Sequence, residues 1–166
     1  MAELPDDVLM DHKTCAAQIK KWQDDGLTVG FTNGYFDIIH AGHVVHLTQM
    51  KEKCDRLVVS INSDISATLF KGPKRPINPL EARAIVLAGL KAIDAVTSHG
   101  ATHKDGDNTA IEFLKMAKPD LYLKGGDYTP ETLPETEIMR AFGGDVIIMP
   151  FYDGYSTTNI IKKSRA

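Results

Sequence analysis

Cysteine is scarce in these 166 residues: Cys15 and Cys54 are the only two, and they form no C-x-x-C pair. That excludes a disulfide scaffold and leaves two packing residues suited to a reducing compartment. Long apolar runs are missing too. Stretches such as Val146–Met149 fall far short of the ~20 residues a membrane-crossing helix needs. The first 26 residues are polar and acidic, without the apolar core of a secretory leader, so a cytoplasmic location with no membrane partner is expected. Nor is there an excess of positive charge. Nineteen Lys and Arg against 22 Asp and Glu give a net charge of −3, which speaks against nucleic acid as a partner. What remains is an ordinary globular mixture, 43% hydrophobic and 25% charged, which excludes disorder and collagen.

Short apolar runs alternate with longer stretches of helical spacing. Residues 14–24 have the pattern of an amphipathic helix, with Thr14 as N-cap and Gly26 as stop. Strand-like runs lie at 27–32, 56–62, 95–97, 120–124 and 145–149. Helical patterns follow at 42–53, 80–92, 109–118, 134–142 and 156–163. Residues 71–79 read as a basic, proline-rich loop. This rhythm predicts an α/β fold: a five-stranded, doubly wound parallel sheet of Rossmann-like type, with helices on both faces. Residues 1–26 would form an N-terminal helical extension and 27–166 the main domain. In such sheets ligands sit at the carboxyl ends of the strands. Chemistry is therefore expected in the loops 33–43, 62–78, 98–107, 124–133 and 150–158.

The first of these loops reads Thr32-Asn33-Gly34-Tyr35-Phe36-Asp37-Ile38-Ile39-His40-Ala41-Gly42-His43. His40 and His43 stand three apart at a helix start, so their side chains share a face. Two imidazole donors beside a helix N-terminus suit a polyphosphate. Gly34 permits the turn and Gly42 a close approach to the backbone. A histidine at a helix start can also be a plain surface or capping residue. His40, His43 and His46 could share a metal ion, but no Asp, Glu or Cys follows at helical spacing and H-E-x-x-H is absent. G-x-x-x-x-G-K-[ST], G-x-G-x-x-G and G-x-S-x-G are absent as well.

The run T-N-G-Y-F-D-I-I-H-A-G-H resembles the T-x-G-x-F-D-x-x-H-x-G-H signature of the nucleotidyltransferase superfamily, whose H-x-G-H motif is shared with class I aminoacyl-tRNA synthetases. The blocks Ile61–Asp64, Lys71–Arg83, Lys124–Tyr128 and Asp153–Lys163 are similar to one branch, the adenylyltransferase domains that act on D-glycero-β-D-manno-heptose 1-phosphate. The resemblance spans about residues 27–165, so 27–166 would be the nucleotidyltransferase domain. The sugar-kinase half fused in many relatives has no counterpart here, which implies a functional link to a separate kinase. It further implies transfer of AMP from ATP to a sugar 1-phosphate, giving ADP-heptose and pyrophosphate for lipopolysaccharide biosynthesis. Mg²⁺ would bridge the phosphates, held mostly by substrate and water, and the chain would form a homodimer.

Residue by residue, the resemblance makes His40, His43 and Lys71 catalytic. It assigns nucleotide contacts to Thr32, Asn33, Gly34, Phe36, Gly42, Lys124, Gly125, Asp127, Ser156, Thr157 and Thr158. It assigns acceptor contacts to Asp37, Asn62, Asp64, Arg75 and Arg83, and no metal ligand to the chain. Several of these residues have a plainer reading. One hydroxyl among Ser156–Thr158 could simply cap the last helix. Lys71 and Arg75 could close over phosphates or be solvated. Arg83 could face the site or pair with Glu81 or another carboxylate. Asp37 reads best as a brace of the phosphate loop, since an acid aimed at phosphates would repel them.

Two positions depart from the branch. Relatives often carry Cys where Tyr35 stands, and Cys or Arg where Tyr155 stands. A bulky phenol at 35 would narrow the acceptor pocket. Residues 99–108 match little. Cytidylyltransferases for glycerol 3-phosphate usually carry an Arg ahead of the closing Ser-Thr-Thr block, which Phe151–Thr158 lacks. A CTP-dependent enzyme for another small phosphate, and a nucleotide-binding protein without turnover, remain the alternatives.

Overall fold

The computed structural model describes residues 8–150 and 154–164. Residues 1–7 of the expected extension, Phe151 to Asp153 of the closing segment, and Arg165 lie outside the described residues.

Five strands form one parallel sheet: β1 (Val29–Gly34), β2 (Arg56–Asn62), β3 (Ala95–His99), β4 (Leu121–Gly125) and β5 (Asp145–Met149). Their order is β3-β2-β1-β4-β5. The helices are α1 (His12–Asp24), α2 (Ala41–Lys51), α3 (Asp64–Lys71), α4 (Leu80–Ala88), α5 (Ile111–Ala117), α6 (Glu135–Ala141) and α7 (Thr157–Ser164), with a 3₁₀ turn at Pro130–Thr132. Side chains of a strand alternate between faces, and both faces are buried. Val29, Phe31, Val58 and Tyr122 pack against Cys15 and Ile19 of α1, Phe113 and Leu114 of α5 and Met139 of α6. Leu57, Val59, Ile61 and Leu123 pack against Leu47 and Met50 of α2 and Ala84 and Leu87 of α4. The doubly wound, Rossmann-like α/β fold is thus the one that the alternating runs predict.

Three local expectations need correction. Asp11, not Thr14, caps α1: its carboxylate accepts from the Thr14 backbone N–H (2.9 Å) and hydroxyl (2.7 Å), so the helix begins at His12. Burial pushes the Cys15 thiol up to about 12, the state of an inert packing residue. The stretch 62–78 is not loop throughout, because α3 interrupts it. Ser63 caps α3 by accepting from Ser66 N–H (3.2 Å), and Gly72, at φ 103°, ends it. Ile65 and Phe70 of this helix are exposed, so no deep apolar stripe announces it. Finally, β1 runs two residues later than expected. Asn33 and Gly34 are strand, paired with Ser60 and Ile61, rather than a turn.

The chain builds outward from β1 to β2 and β3, then returns to the other side of β1 with β4. The reversal leaves a crevice between the carboxyl ends of β1 and β4, the usual ligand position in such sheets. Asn33 and Gly34 stand on one side of it, Lys124 and Gly125 on the other.

Candidate active site

Two adjoining cavities open at these strand ends, of about 310 and 370 Å³. Asn33, Gly34, Tyr35 and Lys124 belong to the walls of both.

The first cavity is built on the corner between β1 and α2. Phe36 sits there at φ 46°, a conformation that costs a non-glycine residue energy and persists only where its surroundings impose it. His40 is the N-cap of α2: its Nδ1 accepts from His43 N–H at 3.4 Å. An accepting Nδ1 puts the proton of neutral His40 on Nε2. The His40 and His43 rings stack with centroids 3.8 Å apart, and both line the cavity. A Cβ at position 42 would lie 3.1 Å from His40 Nδ1 and 3.0 Å from Tyr155 Cβ, so a glycine there leaves the stack room. His46 lies one turn further on and closes against β4. A Cβ at Gly125 would come within 2.0 Å of its Nε2.

Burial lowers the pKa of His40, His43 and His46. His43 falls to about 4: burial acts first, then repulsion from His40 and His46, with the Ile38 carbonyl opposing weakly. The three imidazoles are therefore neutral at pH 7. Each offers one N–H until an anion arrives to favour the charged form. Across the cavity stand Ser156 and Thr157 at the start of α7. Ser156 Oγ accepts from Asn159 N–H (3.0 Å), the capping geometry, and Thr157 donates to the Ile38 carbonyl (3.3 Å).

Between the two cavities runs a hydrogen-bonded chain. Lys124 Nζ and Tyr122 OH both donate to Asn33 Oδ1, each at 2.8 Å. An ammonium can only donate, so the Asn33 carbonyl must face it and its Nδ2 must face His99 Nε2, at 3.2 Å. His99 Nε2 then accepts, and Nδ1 carries the proton to Ser60 Oγ at 2.7 Å. The buried His99 suits this neutral state: burial, Lys124 and His12 push its pKa down to about 3 against the pull of Asp107. Burial also lowers the pKa of Lys124, with Glu135 opposing.

The second cavity takes Asn62 and Lys71 from the β2 side, Asn108 from the β3–α5 loop, and Tyr128 and Glu135 from the β4 side. Lys71 Nζ lies 4.7 Å over the Tyr35 ring, within cation–π range.

Asp37, Asp64, Arg75 and Arg83, which the resemblance assigns to the acceptor, line neither cavity. Asp37 Oδ1 accepts from Ile77 N–H (2.8 Å) and Asn78 N–H (2.9 Å), and Oδ2 from Arg75 Nε at 2.5 Å. Burial would raise its pKa, but the N–H groups of Asn78 and Ile77 and then Arg75 outweigh that and hold it below the usual range. The side chain of Arg83 is wholly buried, and its ion-pair partner is Asp64 at 2.7 Å rather than Glu81. These four residues tie the loop ahead of α4 to the β1–α2 corner. Asp127 and Thr158 are exposed and also stand off both walls. Thr32, Asn33, Gly34, Phe36, His40, Gly42, His43, Lys124, Gly125, Ser156 and Thr157 come together around the first cavity, and Asn62 and Lys71 around the second.

Among the described residues no carboxylate lines the first cavity, and no group of three or more His, Cys, Asp or Glu is placed to bind a metal ion. The donor set does not fit a resident divalent ion. The signals missed in the sequence are His99, Asn108 and Glu135. The first two flank the poorly matching segment after β3, where position at a strand's carboxyl end was the only pointer.

Among the described residues, no helix is long and apolar enough to cross a membrane. The cytidylyltransferase-like family model matches residues 31–163. The chain is 42% identical over 158 residues to the bifunctional protein HldE of Gluconacetobacter diazotrophicus, covering 95% of this chain and 31% of that protein. It is 49% identical over 152 residues to the HldE of Hahella chejuensis, covering 89% and 31%. The chain thus spans about a third of the length of the curated relatives it matches. Among solved structures, a lipopolysaccharide core biosynthesis protein from Thermoplasma volcanium superposes with a TM-score of 0.57 at 26% identity, covering 79% of this chain and all of that one. With the H-x-G-H histidines seated at the mouth of the first βα unit, this chain belongs to the cytidylyltransferase-like family and is a nucleotidyltransferase.

Proposed function

We propose that the chain transfers AMP from Mg–ATP to a sugar 1-phosphate, D-glycero-D-manno-heptose 1-phosphate before others, releasing pyrophosphate and forming ADP-heptose for lipopolysaccharide biosynthesis. The observation that carries this reading is the pair of cavities meeting at Asn33 and Lys124. The first, with imidazole N–H groups and two helix starts, suits a triphosphate tail. The second, with Lys71 and several amides, suits a phosphorylated polyol. Magnesium enters with the nucleotide, as part of the substrate.

An acceptor phosphate is already ionised at neutral pH, so no strong general base is needed. Its oxygen attacks the α-phosphorus in line, and pyrophosphate leaves on the far side. His40, His43 and Lys124 supply N–H donors where negative charge accumulates, so catalysis is positioning plus electrostatics. On this reading the chain works in the cytoplasm as a homodimer, takes its acceptor from a sugar kinase, and has no role with nucleic acid. Light scattering tests the dimer.

The reading is tested by pyrophosphate release with a panel of sugar phosphates. Turnover is expected with ATP and heptose 1-phosphate. Exchanging CTP for ATP separates the cytidylyltransferase alternative, which the family's description favours. No pyrophosphate from any pair would remove the enzymatic reading and leave nucleotide binding alone.

A second expectation concerns protons. A bound triphosphate favours charged imidazole, so it raises histidine pKa values that burial holds below 6.5. Binding should take up protons as pH falls from 7 toward the free-site values, and none well above 7. Calorimetry of ATP binding at pH 6 and pH 8, in buffers with different heats of ionisation, reads the number directly. Equal heats in all buffers at pH 6 would mean that the imidazoles stay neutral when the triphosphate is bound.

A further inference from the structure

Tyr35 is the residue shared by both cavities whose role the family pattern leaves unassigned, and its hydrogen bonding has a determined direction. The Ala101 backbone N–H points to Asn108 Oδ1 at 3.4 Å. A backbone N–H can only donate, so the amide oxygen of Asn108 faces that way. Asn62 Nδ2 adds a second donor to the same oxygen at 3.2 Å, and Ser66 Oγ also bonds it. The amide nitrogen of Asn108 is thereby turned toward Tyr35 and donates to its phenolic oxygen at 3.0 Å. The phenol is the acceptor in that bond, so its own proton is left for something else. Among the described residues no group accepts it. Tyr35 belongs to a wall of the second cavity, with the Lys71 ammonium over its ring and Lys124 on the same wall.

We propose that Tyr35 donates its phenolic hydrogen bond to the phosphate of the acceptor, and that Asn108 fixes the phenol in the donating orientation. The inference rests on the reading of the chain as a sugar-phosphate nucleotidyltransferase and names a residue that selects the acceptor. An anionic oxygen is the group that suits a phenol O–H in a cavity whose wall also carries the Lys71 and Lys124 ammonium groups. With Asn108 donating to the phenolic oxygen, the O–H is directed elsewhere. A neutral hydroxyl acceptor would gain less from the same contact, since hydrogen bonds to charged groups are the stronger ones. The position therefore favours a phosphorylated sugar over the free sugar.

The experiment is a calorimetric titration of D-glycero-β-D-manno-heptose 1-phosphate into the wild-type chain and into Tyr35→Phe, with a non-hydrolysable ATP analogue present. Phenylalanine keeps the ring, its contact with Lys71 and the wall between the cavities, and removes only the hydroxyl. Affinity for the sugar phosphate should fall about tenfold or more, the loss of one hydrogen bond to a charged group, while affinity for the ATP analogue stays the same. Asn108→Asp presents an acceptor to the phenol and should turn its proton away from the cavity, with a similar loss. In the Tyr35→Phe background, Asn108→Asp should cost clearly less, which separates phenol orientation from the added charge. Equal binding by Tyr35→Phe and wild type overturns the inference. Absence of wild-type binding to the sugar phosphate overturns it as well. Pyrophosphate release by the wild type is followed in parallel. Binding with the expected Tyr35→Phe loss but no turnover would leave this inference standing and remove the catalytic reading. Turnover with unchanged Tyr35→Phe binding would do the reverse.

Discussion

His43→Ala is expected to lower kcat by about 10²–10³ while changing affinity for ATP only slightly, the pattern of losing one donor aimed at developing charge. The ring lines the first cavity and stacks on His40 at 3.8 Å. Burial keeps it neutral before substrate arrives, with a pKa near 4. A neutral N–H gives a ground-state phosphate a modest bond. As the bond from the α-phosphorus to pyrophosphate breaks, charge builds on the departing oxygens, and the same contact strengthens. That difference between ground and transition state is what appears in kcat. His43→Gln keeps an N–H donor and should recover part of the loss. Single-turnover kinetics and equilibrium binding of ATP separate the two quantities. A variant whose ATP affinity falls as far as its turnover would show that His43 is a uniform binding group and no more.

The first cavity was the readable part of the site because its chemistry is local in sequence. Twelve consecutive residues, Thr32 to His43, supply the end of β1, the strained corner at Phe36 and the capped start of α2. A short-range pattern therefore carries half of its lining, the stacked histidines included. The sheet was readable for a similar reason: runs such as Leu57–Ile61, buried on both faces, show in one dimension. The second cavity is different. Its wall takes residues from the ends of β1, β2 and β4 and from the β3–α5 loop. No spacing rule links Tyr35 to Asn108, 73 positions away. His99 is hidden in the same way. As a lone histidine at a strand end it carries no motif, and its partners Ser60 and Asn33 lie on the adjoining strand β2 and on β1 beyond it. Long-range polar chains of this kind are fixed by topology, and only the register of β1, β2 and β3 brings their members within reach.

The braces illustrate the same division, and they lead to the largest expected loss of stability. Among the described residues, Arg83 heads the large side chains that the fold buries completely. Its Nε donates to the Asn78 carbonyl at 3.0 Å, one terminal nitrogen to the Tyr35 carbonyl at 2.6 Å, and the other to Asp64 at 2.7 Å. One guanidinium thus joins α4 to the β1–α2 corner, the loop ahead of α4 and the start of α3. Arg83→Met keeps much of the apolar stem and leaves two half-buried carbonyls without donors. Two unmet acceptors together should cost about 2–4 kcal/mol. Asp64 recovers water because its side chain is 43% exposed, which places the cost on the carbonyls. Urea denaturation should show a lower midpoint with an unchanged slope, the mark of lost stability rather than a changed unfolded state. Arg83→Lys, with one ammonium in place of a fork, cannot reach three partners in three directions and should fall between the two. The Tyr35 backbone is anchored by this residue, so the surviving folded Arg83→Lys protein should also bind the sugar phosphate more weakly than ATP binding would suggest. A loss below about 1 kcal/mol on Arg83→Met, within the range of an ordinary surface change, would mean that the guanidinium bonds are incidental to holding the corner in place.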